Sequence, residues 1–344
     1  EREEMEETQS PPKRTGVYKS APPKTKASTQ QKSSKPPPKN PPPVTEAYVT
    51  ELRQADDDYE AGAYNRAAAA FLKYTDKLDD DQCYRLGWMY ENGKGLNTDY
   101  GNTVYWYRKA IDKGNAAAMN SMGAMYYTGR GVSQDYSEAM QWFRKAADKD
   151  HPTAMSNIGK MYENGLGVPQ DYTEALRWYT RAADKGNLWA INNIGVLHAT
   201  GRGVSQDYSE AMQWFRKAAD QEYAAAMNNI GTLYGNGRGV PQDYTEALRW
   251  YTRAADKGNA AAMNNIGNLY HEGTGMPRNY GMAMEWYVKA AEKDNAEAMY
   301  NIGRMYEKGE GIKKNKNLAM EWYTRSAEKG NEDAMNILMK NEKH

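Results

Sequence analysis

The sequence lacks most of the features that mark membrane proteins, disulfide-bonded domains and the common enzyme classes. A single cysteine, Cys83, excludes a disulfide within the chain. Lys and Arg together number 45, and so do Asp and Glu, so no net charge draws the whole chain to nucleic acid or to an anionic membrane. No apolar run approaches the roughly 18 residues of a membrane span, and no HExxH, CxxC or paired-carboxylate motif is present. These absences favour a binding role over a chemical one.

The first 44 residues differ in composition from the rest of the chain. They hold nine Lys or Arg and five Glu, and every Glu precedes Thr8, so residues 8–44 carry only positive charge. Residues 10–43 contain ten prolines and almost no large apolar side chains. Such a segment buries too little surface to offset the entropy lost on ordering, which predicts a disordered tether over 1–44. A docking tail for an acidic surface, nucleic acid or an aromatic-lined groove is the alternative.

The remaining chain repeats with a period of 36 residues. Glycine recurs at 87, 123, 159, 195, 231, 267 and 303, and tryptophan at 106, 142, 178, 214, 250, 286 and 322. A GxG pair follows the same step from 93/95 to 309/311, and the stretch GRGVSQDYSEAMQWFRKAAD occurs at both 129–148 and 201–220. A fixed period of this length is the signature of a repeat protein.

Each unit is predicted to form two helices. Asn115 can cap a first helix in which Met119, Met122 and Met125 share one buried face. A second helix begins at Asp135 and carries the repeated tryptophan. Because a two-helix unit cannot cover its apolar face alone, neighbouring units must stack, and the sequence predicts an all-α solenoid.

The repeated pattern resembles a known family. The stretch AMSNIGKMYENGLGVPQDYTEALRWYTRAA at 154–183 is similar to the Sel-one-like repeat, a longer relative of the tetratricopeptide repeat, and the resemblance covers about 82–340. It implies a right-handed α/α solenoid (superhelix) of about seven 36-residue two-helix repeats over 79–331. Residues 45–78 resemble a tetratricopeptide hairpin that caps the amino-terminal end, and 332–344 a capping helix at the other end. The chain lacks the paired cysteines of the disulfide-bridged bacterial members, so packing alone must stabilise it.

No residue pattern in these units predicts chemistry. The four histidines do not share a repeat position, and Cys83 stands where later units have Met or Ile, which predicts a core residue. The GxG loops occur seven times with no strand before them, so they are interpreted as turns with positive φ and not as phosphate sites. The Trp and Tyr ladder has the spacing of a core stripe. We therefore predict no enzymatic activity, no cofactor, and no catalytic, cofactor-binding or metal-binding residue.

The family resemblance implies a protein–protein interaction scaffold or adaptor whose concave groove, lined by the first helices, binds a protein or peptide. Comparing 129–187 with 201–259 gives ten differences, all between Lys149 and Leu166, a window that holds one first helix and its flanks. A dedicated inhibitor or immunity protein that clasps a secreted enzyme or toxin is the alternative. A glycan or peptidoglycan binder comes third and requires the aromatic side chains at 84, 88 and 127 to face the groove together. Neither a small-molecule substrate nor a nucleic acid is expected as a partner.

Three positions of each first helix share a face beside the apolar stripe: three residues before, one after and four after the repeated glycine. We call this the first-helix face. A partner segment is predicted to lie along it, with Asn side chains bonding its backbone and aromatic and charged ends setting its register; a solvated face that tolerates drift is the alternative. Trp189, in the same helices, is predicted to be either an exposed contact or a packing patch. The predicted contact residues are Tyr84, Trp88, Glu91, Asn120, Tyr127, Lys160, Glu163, Asn192, Asn228, Asn264, Asn268, His271, Tyr300, Arg304 and Glu307.

The chain starts at Glu and not at Met, which together with the tether favours an exported or envelope-anchored bacterial protein. Contact with a membrane would then be indirect, through an upstream anchor. A piece cut from a longer chain fits the same observation.

Overall fold

The computed structural model describes residues 44–341, which contain seventeen α-helices and no strand. The predicted tether at 1–44 lies outside the described residues except for Val44, where the first helix begins, and so do the last three residues of the predicted capping helix. The helices are α1 (Val44–Glu60), α2 (Tyr64–Lys73), α3 (Asp80–Asn92), α4 (Tyr100–Asp112), α5 (Ala116–Thr128), α6 (Tyr136–Ala147), α7 (Pro152–Asn164), α8 (Tyr172–Asp184), α9 (Leu188–Thr200), α10 (Tyr208–Ala219), α11 (Ala224–Asn236), α12 (Tyr244–Asp256), α13 (Ala260–Glu272), α14 (Tyr280–Ala291), α15 (Ala296–Lys308), α16 (Lys316–Glu328) and α17 (Glu332–Asn341).

The predicted helix pairs are confirmed, and they have the arrangement of an α/α solenoid. The odd-numbered helices from α3 to α15 are the first helices of seven repeats, and the even-numbered helices from α4 to α16 are the second helices. The chain divides into two compact units between Ala154 and Met155. We call them the amino-terminal unit and the carboxyl-terminal unit.

Asparagine starts most of the first helices, as the sequence predicts. The side chain of Asn115 accepts a hydrogen bond from the backbone N–H of Ala118 at 2.8 Å, and Asn187, Asn259 and Asn295 do the same for their helices. Such a cap satisfies one of the backbone N–H groups that the first helical turn leaves without a partner.

Among the first helices of the seven repeats, α11 has no side-chain cap at all. Tyr223 precedes α11 and makes no side-chain capping bond. Replacing Tyr223 with Asn is expected to stabilise the protein by about 1 kcal/mol, because the new amide oxygen can accept the N–H of Ala226. Urea unfolding followed by tryptophan fluorescence measures the gain. Asn259→Ala, which removes the matching bond to Ala262, should lose a similar amount, and a Tyr223→Asn protein no more stable than the wild type would contradict the argument.

The repeated glycine of each first helix lies against an aromatic ring of the second helix. A Cβ atom at Gly159 would stand 2.4 Å from Cε1 of Tyr179, and one at Gly123 would stand 2.6 Å from Cδ1 of Phe143. The two helices of a unit therefore approach each other closely at the repeated glycine. In these pairs the ring that covers the glycine belongs to the residue after the ladder tryptophan and not to the tryptophan itself.

The ladder tryptophans after the first are half-buried, and each has a cation over its indole ring. In every case the cation belongs to the Lys or Arg three residues later in the same second helix. The distances from cation to ring centroid are 3.8 Å for Lys145, 4.4 Å for Arg181, 4.9 Å for Lys217, 4.5 Å for Arg253, 4.2 Å for Lys289 and 4.8 Å for Arg325. Because these side chains cover the rings, the second helices do not present a bare aromatic surface on which bases or sugars could stack.

A buried arginine joins the α1–α2 hairpin to the first repeat. Arg85 of α3 is 7% exposed, and its guanidinium donates to Glu60 at 2.8 Å and lies 3.5 Å from the carboxylate of Asp56. The same group stands over the ring of Tyr59 at 4.8 Å. These contacts fix the hairpin against the amino-terminal end of the repeats, although its tetratricopeptide character stays a prediction.

Candidate functional site

The first-helix face of the amino-terminal unit is largely buried. Tyr84, Glu91 and Asn120 are 5%, 8% and 7% exposed. The ring of Tyr84 stacks on Tyr107 with centroids 5.6 Å apart, and the hydroxyl of Tyr107 donates to the Glu91 carboxylate. Burial raises the pKa of Glu91 and raises that of Tyr84 to about 12. These residues form a core cluster and not an open contact surface.

The two remaining aromatic residues predicted in this unit are half-buried and pair with other rings. Trp88 packs against Tyr59 and Tyr64 of the hairpin, with ring centroids 5.7 Å away in both cases. Tyr127 meets Tyr136 edge to face at 5.3 Å. Because the third member of the set, at residue 84, is buried, the common aromatic surface that a glycan binder requires is not formed.

In the carboxyl-terminal unit, asparagines of the first-helix face form a ladder between repeats. Asn192 accepts a hydrogen bond from the side-chain amide of Asn229 at 2.9 Å. Asn228 accepts from Asn265 at 2.9 Å, and Asn264 accepts from Asn301 at 3.1 Å. We call these three bonds the amide ladder. The predicted role of these Asn side chains was to bond a partner's backbone, but their carbonyl oxygens are already used to join one repeat to the next.

The amide ladder is interrupted between the third and fourth repeats and ends at the seventh. The side-chain amide nitrogen of Asn193 is buried and has no hydrogen-bond partner, because the acceptor position in the preceding repeat is Ser156. Beyond the seventh repeat the corresponding pair is Tyr300 and Ile337, which both pack against the small apolar cluster around Tyr323.

Three other predicted residues, Glu163, Asn268 and Glu307, accept a hydrogen bond from the tyrosine of their own second helix, and so does Thr232, which was not predicted as a contact. Each acceptor stands one or four residues after the repeated glycine. The pairs are Glu163 with Tyr179 at 2.6 Å, Thr232 with Tyr251 at 3.2 Å, Asn268 with Tyr287 at 2.7 Å and Glu307 with Tyr323 at 2.9 Å. Where the second helix has Phe143 or Phe215, the same first-helix positions hold Ala124 and Tyr127 or Val196 and Ala199, and none of these is a carboxylate, an aliphatic hydroxyl or a carboxamide. This correlation between an acceptor and a tyrosine was visible in the sequence and identifies these residues as structural partners of a phenol.

Lys160 and Trp189 lie together on the first-helix face between the third and fourth repeats. The Lys160 side chain is 7% exposed, and its ammonium lies 5.8 Å from the centre of the Trp189 ring. Trp189 is half-buried and meets Tyr179 edge to face at 5.4 Å. Of its two predicted roles, the local packing patch is therefore formed, while part of the ring stays exposed.

The predicted residues at the carboxyl-terminal end of the face are half-buried or exposed. Tyr300 and Arg304 are half-buried, with the guanidinium 5.8 Å from the centre of the ring, and Glu307 is exposed. His271 is half-buried in the preceding repeat and lies 2.8 Å from the carboxylate of Glu310. These side chains combine an aromatic ring with charges of both signs.

The described residues offer no metal site and no membrane span. Between residues 44 and 341, no three His, Cys, Asp or Glu side chains are grouped so that they could hold a metal ion. None of the helices in this range has the length and apolar character needed to cross a bilayer. Cys83 is 2% exposed, as predicted, and burial raises the pKa of its thiol to about 11.

A family model, described as the Sel1 repeat, matches residues 83–115, 116–151, 152–187, 190–223, 224–259, 260–295 and 296–331. The chain belongs to the Sel1 repeat family. This is the Sel-one-like repeat of the sequence analysis, so the predicted family and its seven units are confirmed. No relative was found among curated proteins.

Solved structures of Sel1 repeat proteins resemble this chain. The crystal structure of c5321, a protective antigen present in uropathogenic Escherichia coli strains, is 33% identical with a TM-score of 0.59 and covers 84% of this chain and 65% of that one. A Sel1 repeat protein from Oxalobacter formigenes is also 33% identical with a TM-score of 0.59 and covers 80% of this chain and 99% of that one. Yeast Tom70, 16% identical with a TM-score of 0.52 over 86% of this chain and 63% of that one, is similar in fold alone.

Proposed function

We propose that this Sel1 repeat protein is a non-catalytic scaffold that binds a segment of a partner protein along the first-helix face of its carboxyl-terminal unit. The observation that carries the proposal is that structural contacts and accessible side chains on that face come from different residues. Ring contacts at the glycines, phenol hydrogen bonds and the amide ladder recur from repeat to repeat, whereas the side chains left accessible differ between repeats. An extended binding surface on stacked repeats requires this combination: contacts that hold every repeat in the same way, and accessible side chains that differ from repeat to repeat.

The accessible side chains are of the kinds that dominate protein interfaces. Trp, Tyr and Arg are over-represented among the residues whose loss weakens protein complexes most. Trp189, Tyr300 and Arg304 belong to these types and are half-buried, so each is held in place by neighbours while part of it stays accessible. Since the first and last of them lie three repeats apart, an extended segment is the partner shape that could reach both.

The proposal predicts that charge reversal at Arg304 weakens partner binding about tenfold, or about 1.4 kcal/mol. Arg325 provides a matched control, because it also lies over an aromatic ring in the seventh repeat but on the second helix, 4.8 Å from the centre of Trp322. The full chain should be used to capture proteins from the cells that produce it. Dissociation constants are then measured with the purified partner for the wild type, Arg304→Glu and Arg325→Glu.

We expect Arg325→Glu to bind within about twofold of the wild type. Equal losses in both variants, or no loss in either, would overturn the placement of the partner on the first-helix face. If the one retained partner is a secreted enzyme and binding blocks its activity, the inhibitor role replaces the scaffold role.

A further inference from the structure

The interruption of the amide ladder leaves one hydrogen-bond donor without an acceptor. Asn193 occupies the position from which Asn229, Asn265 and Asn301 donate to the preceding repeat, but its amide nitrogen is buried and donates to no group. The acceptor position holds Ser156, which has a single hydroxyl on Cβ in place of the longer carboxamide of asparagine. A buried donor without a partner keeps the full free-energy cost of having lost its hydrogen bonds to water.

Lys160 adds a positive charge at the same contact between two successive repeats, which we call a seam. It stands one residue after the repeated glycine, where the sixth repeat has Asn268. The carbonyl oxygen of Asn268 lies 3.3 Å from the amide nitrogen of Asn301, so this position borders the ladder amide of the following repeat. A lysine ammonium can only donate hydrogen bonds, whereas a carboxamide can also accept them. Lys160 of the third repeat and Asn193 of the fourth therefore bring two donors to one seam, whereas the fifth and sixth repeats have the acceptors Thr232 and Asn268 at the Lys160 position.

We propose that Asn193, Lys160 and the adjacent Trp189 form a notch that binds a carboxylate, namely an Asp or Glu side chain of the partner segment. A carboxylate has the planar shape of the carboxamide that Ser156 lacks, and its two oxygens accept from the Asn193 amide and the Lys160 ammonium. Hydrogen bonds to an ionised acceptor are shorter and roughly twice as strong as neutral ones. Approach is from the first-helix face, where Asn193 and Trp189 are half-buried. The inference rests on the proposed function and names the chemistry of its partner.

The window that differs between the two near-identical blocks supports the assignment. Ser156 and Lys160 are two of its ten differences, and the corresponding residues in the other block are Asn228 and Thr232. Asn228 completes the ladder by accepting from the next repeat, and Thr232 accepts from a tyrosine hydroxyl. The two substitutions thus replace acceptors with a shortened side chain and a cation at one seam.

The test is a titration of the full-length protein with two capped tripeptides, acetyl-Gly-Glu-Gly-amide and acetyl-Gly-Gln-Gly-amide. The side-chain amide signals of Asn193 are followed by nitrogen-15 NMR and assigned from an Asn193→Ala sample. We expect a saturable shift of this signal with the Glu peptide and at least about tenfold weaker binding of the Gln peptide. Ser156→Asn, which restores the residue of the neighbouring repeats, and Lys160→Thr, which copies the fifth repeat, should each weaken binding of the Glu peptide about tenfold.

Any of three results would overturn the notch. The Asn193 signal does not move, it responds equally to both peptides, or the Ser156→Asn protein binds the Glu peptide as tightly as the wild type does. Both substitutions place a residue already present at the same position of another repeat, and an unchanged amide spectrum elsewhere checks that the fold is intact. The Arg304→Glu measurement tests the proposed function separately. Loss of partner binding there with no carboxylate response rejects the notch alone, and insensitivity to Arg304 rejects the binding face itself.

Discussion

Replacing Gly231 with alanine is expected to destabilise the carboxyl-terminal unit by about 3 kcal/mol, whereas replacing Gly235 in the same helix should stabilise it by about 1 kcal/mol. A Cβ atom at Gly231 would stand 2.7 Å from two ring carbons of Tyr251 and 3.2 Å from the backbone oxygen of Ala247. The ring cannot move aside easily, because Tyr251 is 7% exposed and its hydroxyl is bonded to Thr232. Relief would require the two helices to separate.

Gly235 is the matched control. A Cβ atom there would meet its nearest neighbours, Cβ of Ala247 and the hydroxyl of Tyr251, at 3.7 Å, an ordinary van der Waals distance. Alanine then restricts the unfolded chain without straining the folded one. Denaturant unfolding of both variants, with hydrogen exchange of the α11 and α12 amides, measures the two effects. Similar stabilities for the two variants would contradict the steric reason for the repeated glycine.

Acidification is expected to destabilise the protein through His151 by about 3 kcal/mol between pH 6.5 and pH 4. Burial lowers the pKa of His151 in the folded chain from 6.5 to about 4. Above pH 6.5 the ring is neutral in both states and its contribution to stability is complete. As the pH falls toward 4, the unfolded chain binds a proton that the folded chain does not, so unfolding becomes more favourable. Protonation would also occupy Nδ1, which accepts the backbone N–H of Ala154 at 3.2 Å.

His151→Asn isolates this effect, because Asn115 and Asn187 cap the neighbouring first helices without titrating in this range. We expect the variant and the wild type to have similar unfolding free energies near pH 7 and to diverge below pH 6.5, with the variant the more stable. Denaturant unfolding at a series of pH values gives the difference, and hydrogen exchange at Ala154 reports the local cap. Parallel curves for the two proteins would show that His151 does not carry the pH dependence.

Much of the fold follows from local chemistry that the sequence displays. The Asn caps and the glycines at the helix ends act within a few residues, so a single unit already predicts them, and the period of 36 residues shows that the same unit recurs. Asp135 shows this: it was predicted to start a second helix, and its side chain accepts the N–H of Glu138 at 3.0 Å. The confirmed parts of the fold rest on such short-range signals.

Whether the predicted contact residues are free to bind a partner depends on contacts with other helices. The spacing of residues within one helix does not show those contacts. The 3.6-residue period places Asn192 and Glu163 on one face of their helices, but it does not say that the next repeat or the second helix covers that face. Asn192 therefore bonds Asn229, and Glu163 bonds Tyr179. The adjacent Asn pairs at 192–193, 228–229 and 264–265 were the available signal, because side chains that both donate and accept can join successive copies.

The amide ladder also bears on how neighbouring repeats are joined. The donor of each rung stands two residues before the repeated glycine, and a carboxamide there joins its repeat to the preceding one without adding a charge. Arg85 occupies this position in the first repeat, and its guanidinium donates to Glu60 of the hairpin. Ile337 occupies it in α17 and packs against the apolar cluster around Tyr323. One side-chain position thus distinguishes two kinds of junction in the described residues: asparagine at 229, 265 and 301 bonds the preceding repeat, whereas Arg85 contacts acids of α1 and Ile337 an apolar cluster.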